Sequence, residues 1–271
     1  MERPDTRRIW TENAPAWIEL TRAGYDIYRD LVNTPAFFGM LPDVAGRRGL
    51  DLGCGEGHNT RLVAGRGAEV VALDVSAPFV EAAAAAGGGP RYVLGDGAVL
   101  PFGAASFDFV TAFMSLMDVA EPEATLGEIG RVLRPGGFVQ FSVVHPSTTT
   151  PVRRWVDDAS GRREALAVGD YFYEGPLNET WTFGAAPAEV RDRHRPFTVT
   201  YARRTLAGWL NAVVAAGLSL EAFAEPHADE EVAAARPEVA DTRIVPFFLI
   251  VRAARPVSPA RRAWRAPRPP P

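Results

Sequence analysis

Asp51, Gly53, Gly55 and Gly57 alternate through Gly49–Thr60, GLDLGCGEGHNT, an apolar run that breaks into glycine. Glycine admits positive φ and lets a ligand lie directly against the main chain, so this spacing suits a ligand cradle. Two phosphate cradles can be tested by their offsets. The pattern G-x-G-x-x-G needs glycine at 58 if begun at Gly53 and finds His58; begun at Gly55 it needs glycine at 60 and finds Thr60. A P-loop needs lysine, and all 29 basic residues of this chain are arginine. The same absence removes Lys-based Schiff-base and general-base chemistry. What remains is acid-x-G-x-G-x-G at the end of one apolar run.

Further chemistry-bearing residues stand at the ends of later apolar runs. Asp74 closes Val70–Leu73, where a carboxylate can accept both hydroxyls of a ribose, as it also does in NAD sites. Asp96 follows Tyr92–Leu94, with apolar Leu100-Pro101-Phe102 just beyond. Of the four histidines, His145 falls past the run Phe138–Val144 and is one candidate general base; its bland alternative is to cap that run and hydrogen-bond the chain that follows. His194 is the second candidate, in the charged stretch Arg191–Arg195. His58 lies inside the glycine loop and His227 has no motif around it. No histidine or cysteine spacing suits a metal, and the single Cys54 excludes an intrachain disulfide.

The elements that must position these residues alternate in a βα rhythm from residue 48 to 144, the pattern of a parallel sheet covered by helices. Strands are expected over Arg48–Leu52, Val70–Leu73, Tyr92–Leu94, Phe107–Ala112 and Phe138–Val144, and helices over Ala77–Ala86 and Glu121–Leu133. Gly87-Gly88-Gly89-Pro90 stops the first helix, and Arg134-Pro135-Gly136-Gly137 turns the chain after the second. Thr205–Ala216 reads as helix, Leu218–Ala224 and Pro246–Arg252 as strands. An aromatic, helix-prone region, Trp10–Met40, precedes them. Residues 145–200 fit no βα unit and carry a second aromatic group around Tyr171-Phe172-Tyr173, so they are expected to wall an acceptor pocket. The expected organisation is an N-terminal helical cap over 1–46, an α/β domain over 47–254 with its insertion at 145–200, and an unpacked Pro/Arg-rich tail over 255–271.

A net charge of −4 disfavours a nucleic-acid backbone as partner. No apolar run approaches a membrane span and the first residues are too polar for a secretory signal, so a cytoplasmic protein acting on a small molecule is expected.

The glycine spacing resembles motif I of the class I S-adenosylmethionine-dependent methyltransferases. Ser106–Phe113, SFDFVTAF, is similar to the family's fourth strand, and Leu126–Val139, LGEIGRVLRPGGFV, to its E-x-x-R-V-L-(R/K)-P-G-G signature, whose role here reads as structural. The ordered matches span Gly49–Val144 and look most like the ubiquinone-biosynthesis-type, small-molecule branch. The resemblance implies a Rossmann-like seven-stranded sheet with helices on both faces, an N-terminal helical lid and an insertion after the fifth strand. It implies S-adenosyl-L-methionine as cofactor and no metal. Asp51 would help hold the methionyl amino end, with the backbone of Gly53, Cys54, Gly55 and Gly57 facing the carboxylate and sugar. Asp74 and Val75 would serve the ribose, Asp96 and Gly97 the adenine, and Phe113 would stand at the exit of the strand behind the sulfur. Tyr25 and its neighbours would form a lid. Leu116-Met117-Asp118 stands where many relatives carry Leu-His-His, so no role of those histidines transfers. The implied activity is methyl transfer to a small organic acceptor in bacterial specialised metabolism. Peptide methylation, and a cofactor-binding cyclase or scaffold without transfer, stay open.

Overall fold

The computed structural model describes residues 5–257. In chain order the strands are β1 (Arg48–Leu52), β2 (Glu69–Asp74), β3 (Arg91–Leu94), β4 (Phe107–Phe113), β5 (Leu133–Val144), β6 (Val152–Asp157), β7 (Arg163–Gly169), β8 (Gly175–Trp181), β9 (Phe197–Arg203), β10 (Ser219–Ala224) and β11 (Phe248–Ala254). Seven of them form one sheet in the order β3-β2-β1-β4-β5-β11-β10, parallel from β3 to β5 and antiparallel at β11 and β10. The strand order reverses between β1 and β4, and ligands of open α/β sheets bind at such a switch point, beyond the carboxyl ends of the strands. The glycine loop leaves β1 there.

Side-chain alternation assigns the two faces. Leu50, Leu52, Val110, Ala112, Val139 and Phe141 point to one side. They pack under α5 (Pro122–Val132) and α7 (Leu206–Ala215), through Leu126, Ile129, Trp209 and Val213. Phe109, Phe113, Phe138 and Ile250 point to the other, against Phe37 and Phe38 of α2 (Thr34–Met40) and Val63 of α3 (His58–Ala64). Helices therefore cover both faces, as expected. Gly49 pairs with Phe109 across the ladder, and the Phe109 ring occupies the space a Cβ on residue 49 would need.

Remaining helices are α1 (Thr6–Arg22), a π-helical turn at Arg29–Asn33, α4 (Ala77–Ala86), the single-turn α6 (Ala188–Arg191), α8 (Glu230–Ala235) and a 3-10 helix at Pro237–Arg243. The first helical stop signal works as read: α4 ends at Ala86 and Gly87 takes φ 68°. The second reads differently. Strand β5 already starts at Leu133, but its pairing with β4 jumps from Leu133 opposite Phe107 to Phe138 opposite Phe109, so Arg134–Gly137 loops out as a bulge within the strand. Glu128 and Arg131 of the family-like signature form a 2.6 Å ion pair. Glu128 accepts the Leu100 amide, while Arg131 donates to the carbonyls of Leu100 and Phe102. That clamp is structural, as read.

The insertion is more regular than its sequence suggests. β6 pairs with β7 and β8 with β9, two antiparallel ladders separate from the main sheet. Arg255, placed in the tail by composition, continues the fold by exchanging main-chain hydrogen bonds with Gly136 and Gly137; the tail from residue 258 onward lies outside the described residues.

Candidate active site

The loop from Gly53 to Gly57 is shaped by three positive-φ glycines, at 71°, 54° and 83°. A Cβ on Gly53 would collide with the Ser115 side chain, and one on Gly57 would come within 2.7 Å of the Tyr92 hydroxyl. Gly55 has open space beside it, toward the ligand side. Asp51 sits beneath the loop, 2% exposed, with one carboxyl oxygen accepting from Thr60 Oγ1 at 2.5 Å and the other from Thr111 Oγ1 at 2.7 Å. Burial pushes its pKa up, and the two hydroxyls oppose that. Each oxygen accepts a hydroxyl from inside the protein, so Asp51 braces β1, β4 and α3, and it is not among the residues that line the cavity. This bracing role stands beside its expected contact with the methionyl amino end.

Asp74, at the carboxyl end of β2, accepts the amides of Gly55 at 2.8 Å and Ser76 at 2.9 Å and lines the cavity. Burial raises its pKa to about 6 against those hydrogen bonds. Gly53, Cys54, Gly55, Val75, Gly97, Phe113 and Tyr25 also border the cavity, whereas Gly57 does not. Asp96 departs from expectation: it is exposed, caps the Ala98 amide at 2.9 Å and stays off the wall, which its neighbours Gly95 and Gly97 form. Leu100 and Phe102 likewise pack inward, Phe102 edge-on to Phe107 at 5.1 Å, because the Glu128–Arg131 clamp holds their segment against the core.

Neither candidate base reaches the cavity. His145 is 5% exposed, its Nε2 lies 2.8 Å from Glu225 and its Nδ1 2.7 Å from Ser147, and its burial lowers its pKa. Those contacts match the bland alternative, strand-end bonding. His194 lies 3.5 Å from Glu19 of α1, also away from the wall.

Residues that sequence reasoning passed over complete the site. Glu56, in the variable position between Gly55 and Gly57, is 4% exposed and takes ion pairs from Arg22 at 3.0 Å and Arg61 at 3.1 Å. Arg22 thereby ties the cap to the glycine loop, and it also donates to the Ala82 carbonyl. The cavity, of about 1460 Å³, runs from the glycine loop to the insertion. Trp17, Trp155, Trp181 and Tyr201 line it beyond the loop, joined by Asp118 and by Arg153 paired with Glu179 at 2.5 Å. Among the described residues no group of His, Cys, Asp or Glu has the arrangement of a metal centre, and no helix is long and apolar enough to cross a membrane.

A Rossmann-like sheet with a glycine loop at its switch point and a strand-end carboxylate beside it defines a nucleoside-binding α/β protein. Comparison with known proteins gives its family. Residues 50–141 match the family model described as a methyltransferase domain. The crystal structure of an S-adenosylmethionine-dependent methyltransferase from Mesorhizobium loti is 32% identical, with a TM-score of 0.69, and the match covers 82% of this chain and 96% of that one. The chain belongs to the S-adenosylmethionine-dependent methyltransferases. Demethylmenaquinone methyltransferase of Clavibacter sepedonicus is 40% identical over 117 residues, covering 42% of this chain and 48% of that protein. Malonyl-[acyl-carrier protein] O-methyltransferase of Salmonella typhimurium is 33% identical over 105 residues, 39% of this chain and 42% of that protein. The chain thus matches under half the length of these two curated relatives.

The loop fits the family's cofactor. Gly55 leaves open space where a methionyl or ribose group would rest, and the Asp74 carboxylate stands at the strand end where ribose hydroxyls would be accepted. Leu73 and Val75 offer apolar surface on the same edge.

Proposed function

We propose that this protein transfers a methyl group from S-adenosylmethionine to a small organic acceptor held between the glycine loop and the insertion, in bacterial specialised metabolism. The observation that carries the reading is the continuity of one cavity, which joins the loop residues Gly53, Gly55 and Asp74 to the insertion residues Trp155 and Trp181. The cofactor supplies an electrophilic methyl group on a positively charged sulfur. The chain's part is to hold the acceptor in line, keep water out and, where the acceptor carries a proton, receive it. Tyr25 and Trp17 border the cavity from the N-terminal segment, so the cap closes over the reacting groups, with Arg22–Glu56 fixing it to the loop. The homologues named for demethylmenaquinone and malonyl-[acyl-carrier protein] support a small or carrier-borne acceptor as a class.

Two measurements test this. Calorimetry is expected to detect S-adenosylhomocysteine binding and no comparable NAD(H) binding; the opposite result removes the cofactor assignment. Incubation of methyl-labelled cofactor with the metabolites encoded around the gene is expected to label one of them. Cofactor binding without any label transfer would favour the cyclase or scaffold alternative.

A further inference from the structure

The acceptor side of the cavity has an unusual charge pattern. Its wall carries five arginines, each committed to a carboxylate: Arg29 to Asp30, Arg153 to Glu179, Arg162 to Asp158, Arg163 to Asp241 and Arg243 to Glu230. His58, also on the wall, has its pKa lowered by burial and is neutral near pH 7. Among the described residues each wall arginine thus has a carboxylate beside it, closely so for Arg29, Arg153 and Arg163, while the pairs of Arg162 and Arg243 are longer, at 3.4 Å, and solvent-exposed.

The wall also offers an uncommitted carboxyl. Asp118 lines the cavity, is 8% exposed, and its Oδ1 is buried with no hydrogen-bond partner. Its main chain is fixed from both sides: its N–H donates to the Ser115 carbonyl, and its carbonyl accepts from the Thr6 hydroxyl. The next strand of the insertion docks on the same turn, where the Ala202 amide donates to Met117 O at 2.7 Å. Asp118 lines the same cavity as Asp74 on the cofactor side and Tyr201 on the acceptor side, and its negative charge would raise the pKa of Tyr201. It thus stands between the two halves of the cavity. Burial drives its proton affinity well up. A buried carboxyl without a partner is costly, and one on a cavity wall is placed to be completed by a bound ligand.

Aromatic faces surround the same space. Trp10 and Trp17 meet edge to face at 5.2 Å, Trp17 and Trp181 at 5.4 Å, and Tyr201 stands beside them on the wall. A carboxyl that shares a cavity wall with tryptophan and tyrosine rings is chemistry suited to an ammonium group, through ion pairing and cation–π attraction.

We propose that the methyl acceptor is an amine that enters as its ammonium form, with Asp118 as its anchor and the base that receives its proton. The inference rests on the methyl-transfer reading above. As the ammonium enters, Asp118 gives its own proton to solvent; the ammonium N–H bond then breaks and its proton passes to the Asp118 carboxylate. The freed lone pair forms the new N–C bond, the former C–S pair stays on sulfur, and Asp118 is left protonated, the form in which it started.

The test uses the full chain saturated with S-adenosylhomocysteine and a calorimetric series of matched aromatic ligands: phenethylamine, tyramine and tryptamine against 2-phenylethanol and phenylacetate. The amines are expected to bind at least tenfold more tightly than the alcohol, with no binding of the carboxylate, and D118N is expected to lose that preference while holding S-adenosylhomocysteine within threefold of wild type. Retained S-adenosylhomocysteine affinity also reports that the variant is folded; if D118N does not fold, the wild-type ligand series decides by itself. Equal or better binding of phenylacetate, no binding by any amine, or undiminished amine preference in D118N overturns the proposal. So does a D118N variant that loses S-adenosylmethionine affinity but keeps S-adenosylhomocysteine, which would assign the carboxylate to the sulfonium. Failure of wild type to bind S-adenosylhomocysteine would instead remove the methyl-transfer reading itself.

Discussion

Thr111→Val tests the brace beneath the glycine loop. Valine matches threonine in shape but has no hydroxyl, so the substitution leaves one Asp51 oxygen, at 2% residue exposure, without its 2.7 Å donor. A hydrogen bond to a charged group is worth about 1.5–3 kcal/mol, and stranding a buried acceptor forfeits that full amount. The expected loss at pH 8 is therefore about 2–3 kcal/mol in urea unfolding. The pH dependence sharpens the test. Asp51 has its pKa raised in the folded state, so its contribution to stability is fully present below the unfolded carboxylate pKa of about 4 and declines as pH rises through the folded value. Losing a hydroxyl that stabilises the charged form moves that folded value further up, so the variant's deficit should grow from pH 5 to pH 8. S-adenosylhomocysteine affinity should fall severalfold, because Asp51 holds the strand from which the loop springs. A deficit under about 0.5 kcal/mol, or one that shrinks with rising pH, would refute the assignment of Asp51 as a buried, hydroxyl-stabilised brace.

Gly53→Ala forces a Cβ into Ser115 at φ 71°, and the strain and overpacking together should cost about 2–4 kcal/mol in urea unfolding and abolish cofactor binding by calorimetry. Asp74→Asn should weaken S-adenosylhomocysteine at least tenfold, since an amide cannot accept at both positions. With Asp74 at about 6 when folded and about 3.9 when unfolded, its contribution to stability, about 3 kcal/mol, is present below pH 4 and lost as pH rises through 6; the variant's stability profile should be flatter over that window by urea titration. His145→Asn should leave label transfer within about twofold of wild type while lowering stability by about 1–2 kcal/mol, whereas a turnover loss above a hundredfold would restore it as a base.

The sheet was legible because its signals are local. Alternating apolar residues, Gly87 after α4 and the glycines after β1 act within a few residues of themselves, and each produced the expected strand, stop or turn. The insertion was not legible, because β6 through β9 have mostly exposed or half-exposed side chains and so lack the buried stripe that marks a strand in sequence. The bulge at Arg134–Gly137 was read as a turn because glycine and proline signal a break in pairing without telling whether the strand resumes on the same partner.

The histidines and Asp118 show why site chemistry is harder to read than site position. His145 stands at the right sheet edge, but β11 lies antiparallel beside β5 and the chain beyond β10 brings Glu225 onto its ring, a contact between residues 80 apart. That partner withdraws the imidazole from the cavity. Asp118 is the converse: in sequence it is only a missing histidine, and its meaning depends on what other segments withhold. Thr6 takes its carbonyl, Ala202 docks beside it, and Arg153 and Arg163 on the wall are paired with Glu179 and Asp241. An ionisable group becomes reactive when folding buries it without a partner, and that condition is a property of all surrounding segments at once. A motif can therefore locate the glycine loop, but only the assembled wall identifies which carboxyl is left to meet the acceptor.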